Sequence, residues 1–100
     1  MWIVSHNTLV AYWRQHPETR VPLRQWEQVA EAAEWHTMQQ VVDGLSGAKA
    51  LNSERARFAI AGGNYRLVVA FNFRRKIAYV KFIGTHAEYD RIDALTISQF

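Results

Sequence analysis

The register of one meander restricts this chain more than any other feature of its sequence. Phe58-Ala59-Ile60-Ala61 is followed by Gly62-Gly63 and then by a run from Asn64 to Phe73; Arg74-Arg75 interrupts, and Lys76 to Ile83 resumes. Two-residue hairpin turns at both breaks make residue 61 face 64 and residue 73 face 76. Phe58 and Ile60 then lie beside Tyr65 and Leu67, while Leu67, Val69 and Phe71 lie beside Phe82, Val80 and Ala78. One side of the meander becomes continuously apolar, as a layer of helices requires. A slip by one residue would bring Lys81 into that side. Gly-Gly suits the primed turns and Arg-Arg does not, so a longer second connection is expected; any even length keeps the same facing. The opposite side carries Arg57, Arg66 and Lys81 from three neighbouring strands, with Tyr79, Asn72 and small residues between them.

Helices are expected before the meander. Met1–Val4 reads as a short strand, and Ser5 or Asn7 caps a helix with Leu9, Tyr12 and Trp13 at helical spacing. His16-Pro17 ends it, because the residue before proline is pushed out of the α region. A second helix over about residues 20–36 aligns Leu23, Trp26, Ala30 and Ala33 on one stripe. Thr37 caps a short third helix with Met38, Val41, Val42 and Leu45 at the right intervals and Gly44 near its end. Residues 46–54 read as a loop. After the meander, Thr85-His86-Ala87-Glu88 matches a capping box, so a C-terminal helix should begin there. Its polar face would hold His86, Tyr89, Asp90 and Asp93, its buried side Ile92 and Leu95, and His86 would sit at the rim of the sheet near Arg66.

One hundred residues make one domain, residues 1–100, and an apolar fraction of 49% with four Trp and five Phe suffices for a packed core. Cysteine is absent, which excludes disulfides and thiolate metal sites and fits a reducing, cytoplasmic setting. No run approaches the roughly 18–20 apolar residues of a membrane span, and no secretory signal is visible at Met1–His6. Charge is unevenly placed. Residues 1–50 hold four bases and five acids, whereas residues 51–100 hold eight bases against four acids. A basic half points to an anionic partner met by one face, with nucleic acid first among candidates.

RNA can be cut without a metal: a base takes the 2′-OH proton, a cation stabilises the phosphorane, and an acid protonates the leaving 5′-oxygen. His86 suits acid or base work because its unperturbed pKa, about 6.5, lies near cellular pH. Tyr89 and Asp90 stand beside it, and Arg66 and Lys81 are available to the phosphate. Each has a bland reading as well. His86 could be a surface cap, Tyr89 a core aromatic, Asp90 and Asp93 partners of the helix dipole, and Arg66 one end of a cross-strand ion pair. His6, His16 and His36 lie near helix ends and read as structural. No His-Glu-x-x-His, Asp-x-Asp or cysteine pair is present, Gly62-Gly63-Asn64 lacks the rest of a phosphate loop, and no Ser sits in a nucleophile elbow; neither metal nor cofactor is expected.

The run Gly63 to Val68, followed by Tyr79 to Asp90 with its Gly84-Thr85-His86-Ala87-Glu88-Tyr89-Asp90 segment, closely resembles the HigB-type toxins of bacterial toxin–antitoxin pairs, within the RelE superfamily. The resemblance covers Phe58 to Ala94; the helical segments around Trp13, Trp26 and Trp35 fit it loosely. It implies a compact α+β fold, an antiparallel sheet with two helices on one side and a short C-terminal helix. It implies an mRNA interferase that acts on the translating ribosome, and a HigA-type helix-turn-helix antitoxin through which the complex meets operator DNA. Carried over by position, Arg66, Lys81, His86, Tyr89 and Asp90 match the family's motif. Arg57, Arg74, Arg75 and Lys76 are the further candidates for RNA contact. Two competing readings use the same residues: a non-catalytic RNA- or ribosome-binding module on the basic face, and a domain that binds an acidic protein.

Overall fold

A computed structural model describes all of residues 1–100. The elements are β1 (Trp2–Val4), α1 (His6–Gln15), α2 (Arg20–Ala32), α3 (Met38–Gly44), β2 (Ala48–Ala50), β3 (Arg55–Ile60), β4 (Tyr65–Asn72), β5 (Ile77–Thr85) and α4 (His86–Tyr89). The strands form one sheet in the order β1-β5-β4-β3-β2. All its ladders are antiparallel except that of β1, the N-terminal strand, which lies parallel to the last strand, β5.

Both hairpin registers follow the apolar pattern. Ile60 pairs with Tyr65 and Phe58 with Leu67 across the first connection, and Asn72 pairs with Ile77 and Phe71 with Ala78 across the second. Both loops are four residues between paired positions, so their even length preserves the facing. Gly62 and Gly63 take positive φ, 69° and 93°, where a Cβ would be strained, and Lys76 does so without being glycine (57°). Phe58, Ile60, Leu67, Val69, Phe71, Ala78, Val80 and Ile83 meet Leu9, Leu23, Trp26, Ala30, Trp35 and Val41 of the helical side in one core. Trp26 meets Phe58 edge-on with ring centroids 5.4 Å apart, the geometry aromatic quadrupoles prefer.

β5 departs from the expected register at one residue. Val69 pairs with Val80, but Val68 pairs with Phe82, so Lys81 is a bulged extra residue. Beyond it the facing changes by one: Ile83 joins the helix-side core opposite Leu67, and Phe82, expected there, turns to the other face with Val68. The reason is that Phe82 and Ile83 are consecutive, so one of them must leave the core side. The bulge keeps Lys81 out of the core while letting Ile83 in. Val68 and Phe82 are buried on that second face, at 0% and 4% exposure.

The remaining differences are local. Residues 46–54 contain the short edge strand β2, which pairs through Lys49 with Arg57. The second helix stops at Ala32, and Ala33 is extended. Trp35 thereby drops from the helix path into the core, edge-on to Phe71 at 5.9 Å, where Gly44 leaves room for its indole. Thr37 caps α3 as expected, its hydroxyl accepting from the Gln40 amide. α4 is a single turn, so Asp93 lies beyond the helix and Leu95 is exposed rather than buried.

Candidate active site

The site is assembled where the C-terminal end of β5 meets the β3–β4 turn. Thr85 caps α4: its hydroxyl accepts from the Glu88 amide at 3.1 Å, and the Glu88 carboxylate accepts from the Thr85 amide at 2.8 Å. These hydrogen bonds hold the Glu88 carboxyl below its ordinary pKa. The next residue, His86, donates its backbone N–H to the carbonyl of Asn64 at 2.9 Å, tying α4 to the turn. On the same turn the Arg66 guanidinium donates to the Gly63 carbonyl at 2.6 Å. A Cβ at Gly63 would come within 3.3 Å of that guanidinium nitrogen. The His86 backbone and the Arg66 guanidinium are thus tied to adjacent carbonyls of one turn, those of Asn64 and Gly63.

His86 Nδ1 lies 3.1 Å from Asp90 Oδ2, and both side chains are about half exposed. An ionised carboxylate can only accept, so in this pair Nδ1 carries a proton and Nε2 is left for exchange with a ligand. Tyr89 is half-buried, its ring 6.3 Å from that of Phe82. Lys81, lifted by the bulge, places its ammonium 5.5 Å from the Tyr79 ring centroid, a cation–π contact on the same face as Arg66. Arg57 stands on this face opposite Val68 and is half-buried.

The face is less open than the sequence suggests, because the C-terminal segment lies against it. Arg55 donates to the carbonyls of Ala94 and Ile97 at 3.1 and 2.8 Å. Gln99 extends β5's free edge, its amide donating to the Lys81 carbonyl at 2.9 Å and its side chain accepting from the Ile83 amide at 3.0 Å. Arg55 was not singled out by sequence reasoning; its partners are backbone carbonyls, which leave no trace in residue type. Arg74, Arg75 and Lys76 are exposed at the opposite end of β5. At about 3.3 Å per residue that is on the order of 30 Å from His86. A shallow groove containing Arg74, Tyr79 and Lys81 leads part of the way along the face. No group of three or more His, Asp or Glu side chains gathers in the arrangement a metal ion would need.

A second cluster adjoins the same rim from the helical side. His16 stacks on Tyr12 with centroids 4.3 Å apart and stands edge-on to Tyr65 at 5.8 Å. The Tyr65 hydroxyl donates to the Glu18 carboxylate, and His16 Nδ1 is 3.9 Å from the same carboxylate oxygen. That hydrogen bond lowers the Glu18 pKa and raises that of Tyr65. Burial, with help from Glu88, pushes the Tyr12 hydroxyl up to about 12, and its oxygen is buried without a partner. His16, read from the sequence as structural, is thus part of a titratable group. No spacing signal links it to a strand residue nearly fifty positions later.

With this geometry in view, a family comparison becomes decisive: the profile of the HigB toxin, the RelE-like toxic component of a toxin–antitoxin system, matches residues 19–92. The chain belongs to the HigB toxin family. No curated protein sequence matches it. The family match begins just before α2 and runs through the rim, so it takes in the Trp26 and Trp35 segments together with the His86 segment and leaves Trp13 outside. As a HigB-family toxin the chain is the toxic half of a pair, which implies an antitoxin partner. None of its helices is long and apolar enough to cross a membrane.

Proposed function

We propose that this HigB-family toxin is a metal-independent endoribonuclease that cuts messenger RNA on the translating ribosome and so arrests growth. The observation that carries the proposal is the junction of Arg66 and His86 at one rim through the Asn64–His86 backbone bond. His86 exchanges the proton of the 2′-OH or of the leaving 5′-oxygen. Asp90 fixes its Nδ1 proton, and Tyr89 or Asp90 stands ready as the complementary group. Arg66 and Lys81 neutralise the phosphorane, and the O2′–phosphorus bond forms as the phosphorus–O5′ bond breaks. The products are a 2′,3′-cyclic phosphate and a 5′-hydroxyl end. Arg57, with Arg74, Arg75 and Lys76 farther along the face, holds the RNA backbone. A HigA-type helix-turn-helix antitoxin neutralises the toxin in the cytoplasm and carries the complex to operator DNA.

Brief induction in a bacterium followed by primer extension on translated messages tests this. Discrete new 5′ ends are expected, and His86→Gln should reduce them about 10²–10⁴-fold, the usual contribution of a positioned acid or base. Undiminished cutting by the variant removes His86 from the mechanism. Salt-sensitive RNA binding with no new ends from the unmodified toxin would leave a binding module instead.

A further inference from the structure

The His16–Glu18–Tyr65 cluster has no part in the chemistry just described, yet it shares the rim with it. Tyr65 is paired with Thr85, the residue immediately before His86. Glu88 lies two residues from His86 in α4, and its charge is felt by both Tyr12 and Tyr65. The cluster is open to solvent: the side chains of His16 and Glu18 are 37% and 54% exposed. It combines half-exposed aromatic rings with an ionised carboxylate and a hydroxyl that stays protonated. Single-stranded RNA is recognised by this set of groups, through stacking of an unstacked base on aromatic rings and hydrogen bonds to its Watson–Crick edge.

We infer that Glu18 and Tyr65, backed by His16, form a nucleobase subsite that reads guanine in the RNA bound beside His86. This rests on the nuclease reading for its location, and the choice of base follows from donor and acceptor order. A carboxylate only accepts, so it is best matched by an edge with two adjacent donors. Guanine alone offers that, in N1–H and the 2-amino group, and its neighbouring O6 accepts. On binding, N1–H and N2–H donate to the two Glu18 oxygens. The Tyr65 hydroxyl, which donates to Glu18 in the free protein, turns to donate to O6. Adenine and cytosine set a ring acceptor next to their amino group, and uracil places its one N–H between two carbonyls; each would point a lone pair at the carboxylate. His16, held flat against Tyr12, supplies the aromatic surface.

Fluorescence anisotropy with the full-length toxin and short 2′-O-methyl RNAs, which cannot be cleaved, tests the subsite separately from catalysis. Three RNAs differ at one position by guanine, inosine or adenine; inosine lacks only the 2-amino group. Guanine should bind roughly 5- to 150-fold more tightly than adenine, the range for one good bidentate contact, with inosine between them. Glu18→Gln, an exposed change with little reach into the fold, should erase most of the difference, and Tyr65→Phe should remove a smaller part. Equal affinity for the three RNAs, or an unaltered preference in Glu18→Gln, overturns the inference. Cleavable messages assayed in parallel on translating ribosomes separate the two claims: guanine preference without cutting refutes the nuclease and keeps the subsite, and cutting without preference does the reverse.

Discussion

On the helical side of the sheet, Phe58, Leu67 and Val69 are buried in a layer of aliphatic and aromatic side chains, and the one buried carboxylate of the helices, Glu27, is paired with His6. On the other side only Val68 and Phe82 form a comparable patch, and Arg55, Arg57, Arg66 and Lys81 share that surface. The first face is closed by side-chain packing, which depends on volume and tolerates little loss. The second is covered in part by the C-terminal segment, whose backbone carbonyls accept from Arg55, while Arg66 stays half-buried and His86 exposed. The same strands thus separate a packed face from the face that carries the proposed site.

Substitutions on the two faces should therefore move different quantities. Phe58→Ala, in the centre of the helix-side core, is expected to cost about 3–5 kcal/mol of stability. Urea denaturation reads this, and a loss below about 1 kcal/mol would show that the helical layer is not the main source of stability. Arg66→Ala should do the opposite. A cation fixed at developing charge contributes roughly 2.7–4 kcal/mol to the transition state, a factor of about 10²–10³ in cleavage. The denaturation midpoint should barely shift, because the guanidinium's partner is a turn carbonyl at the rim. Equal losses of cleavage and stability would erase the distinction between the faces.

The smallest effect is expected where the cluster at the rim touches the helical layer. The Tyr12 oxygen is buried without a partner, and an unsatisfied buried group costs free energy. Tyr12→Phe should leave stability unchanged or raise it by about 1 kcal/mol at neutral pH. Its pKa in the fold is raised from 10.0 to about 12, so the folded state holds this proton more firmly than the unfolded chain. The corresponding stability is fully present below pH 10 and is lost as pH rises toward about 12. A denaturation series across that window should fall more steeply for the unsubstituted toxin than for Tyr12→Phe; parallel curves would mean that the hydroxyl is hydrated after all.

Much of this was legible because the sequence repeats its instructions. The hairpin registers are written twice, in apolar alternation and in even loop lengths, and the cap of α4 is written in the Thr85 and Glu88 pair. The placing of His86 just beyond β5, beside the β3–β4 turn, followed from these two readings together. The bulge at Lys81 was available only as the adjacency of Phe82 and Ile83, which a strict alternation cannot place on one face. β2 is three residues, Ala48-Lys49-Ala50, without a β-branched side chain among them, and gives no strand signal of its own. The contacts of Arg55 and Gln99 run to main-chain atoms, and those of His16 and Glu18 depend on how α1 is laid over the sheet. Neither kind is encoded in local spacing.

Lys81 is the one position in β5 that the ladder does not count. An in-frame loss of its codon would close a gap rather than open one: Val80 and Phe82 would become ordinary neighbours, and Ile83 and Thr85 would keep their sides. One added codon has no such refuge and would swing the imidazole of His86 to the wrong side of the molecule. This toxin can shorten its last strand at the loss of one ammonium group and the Gln99 amide's acceptor, but it cannot lengthen that strand without surrendering its aim.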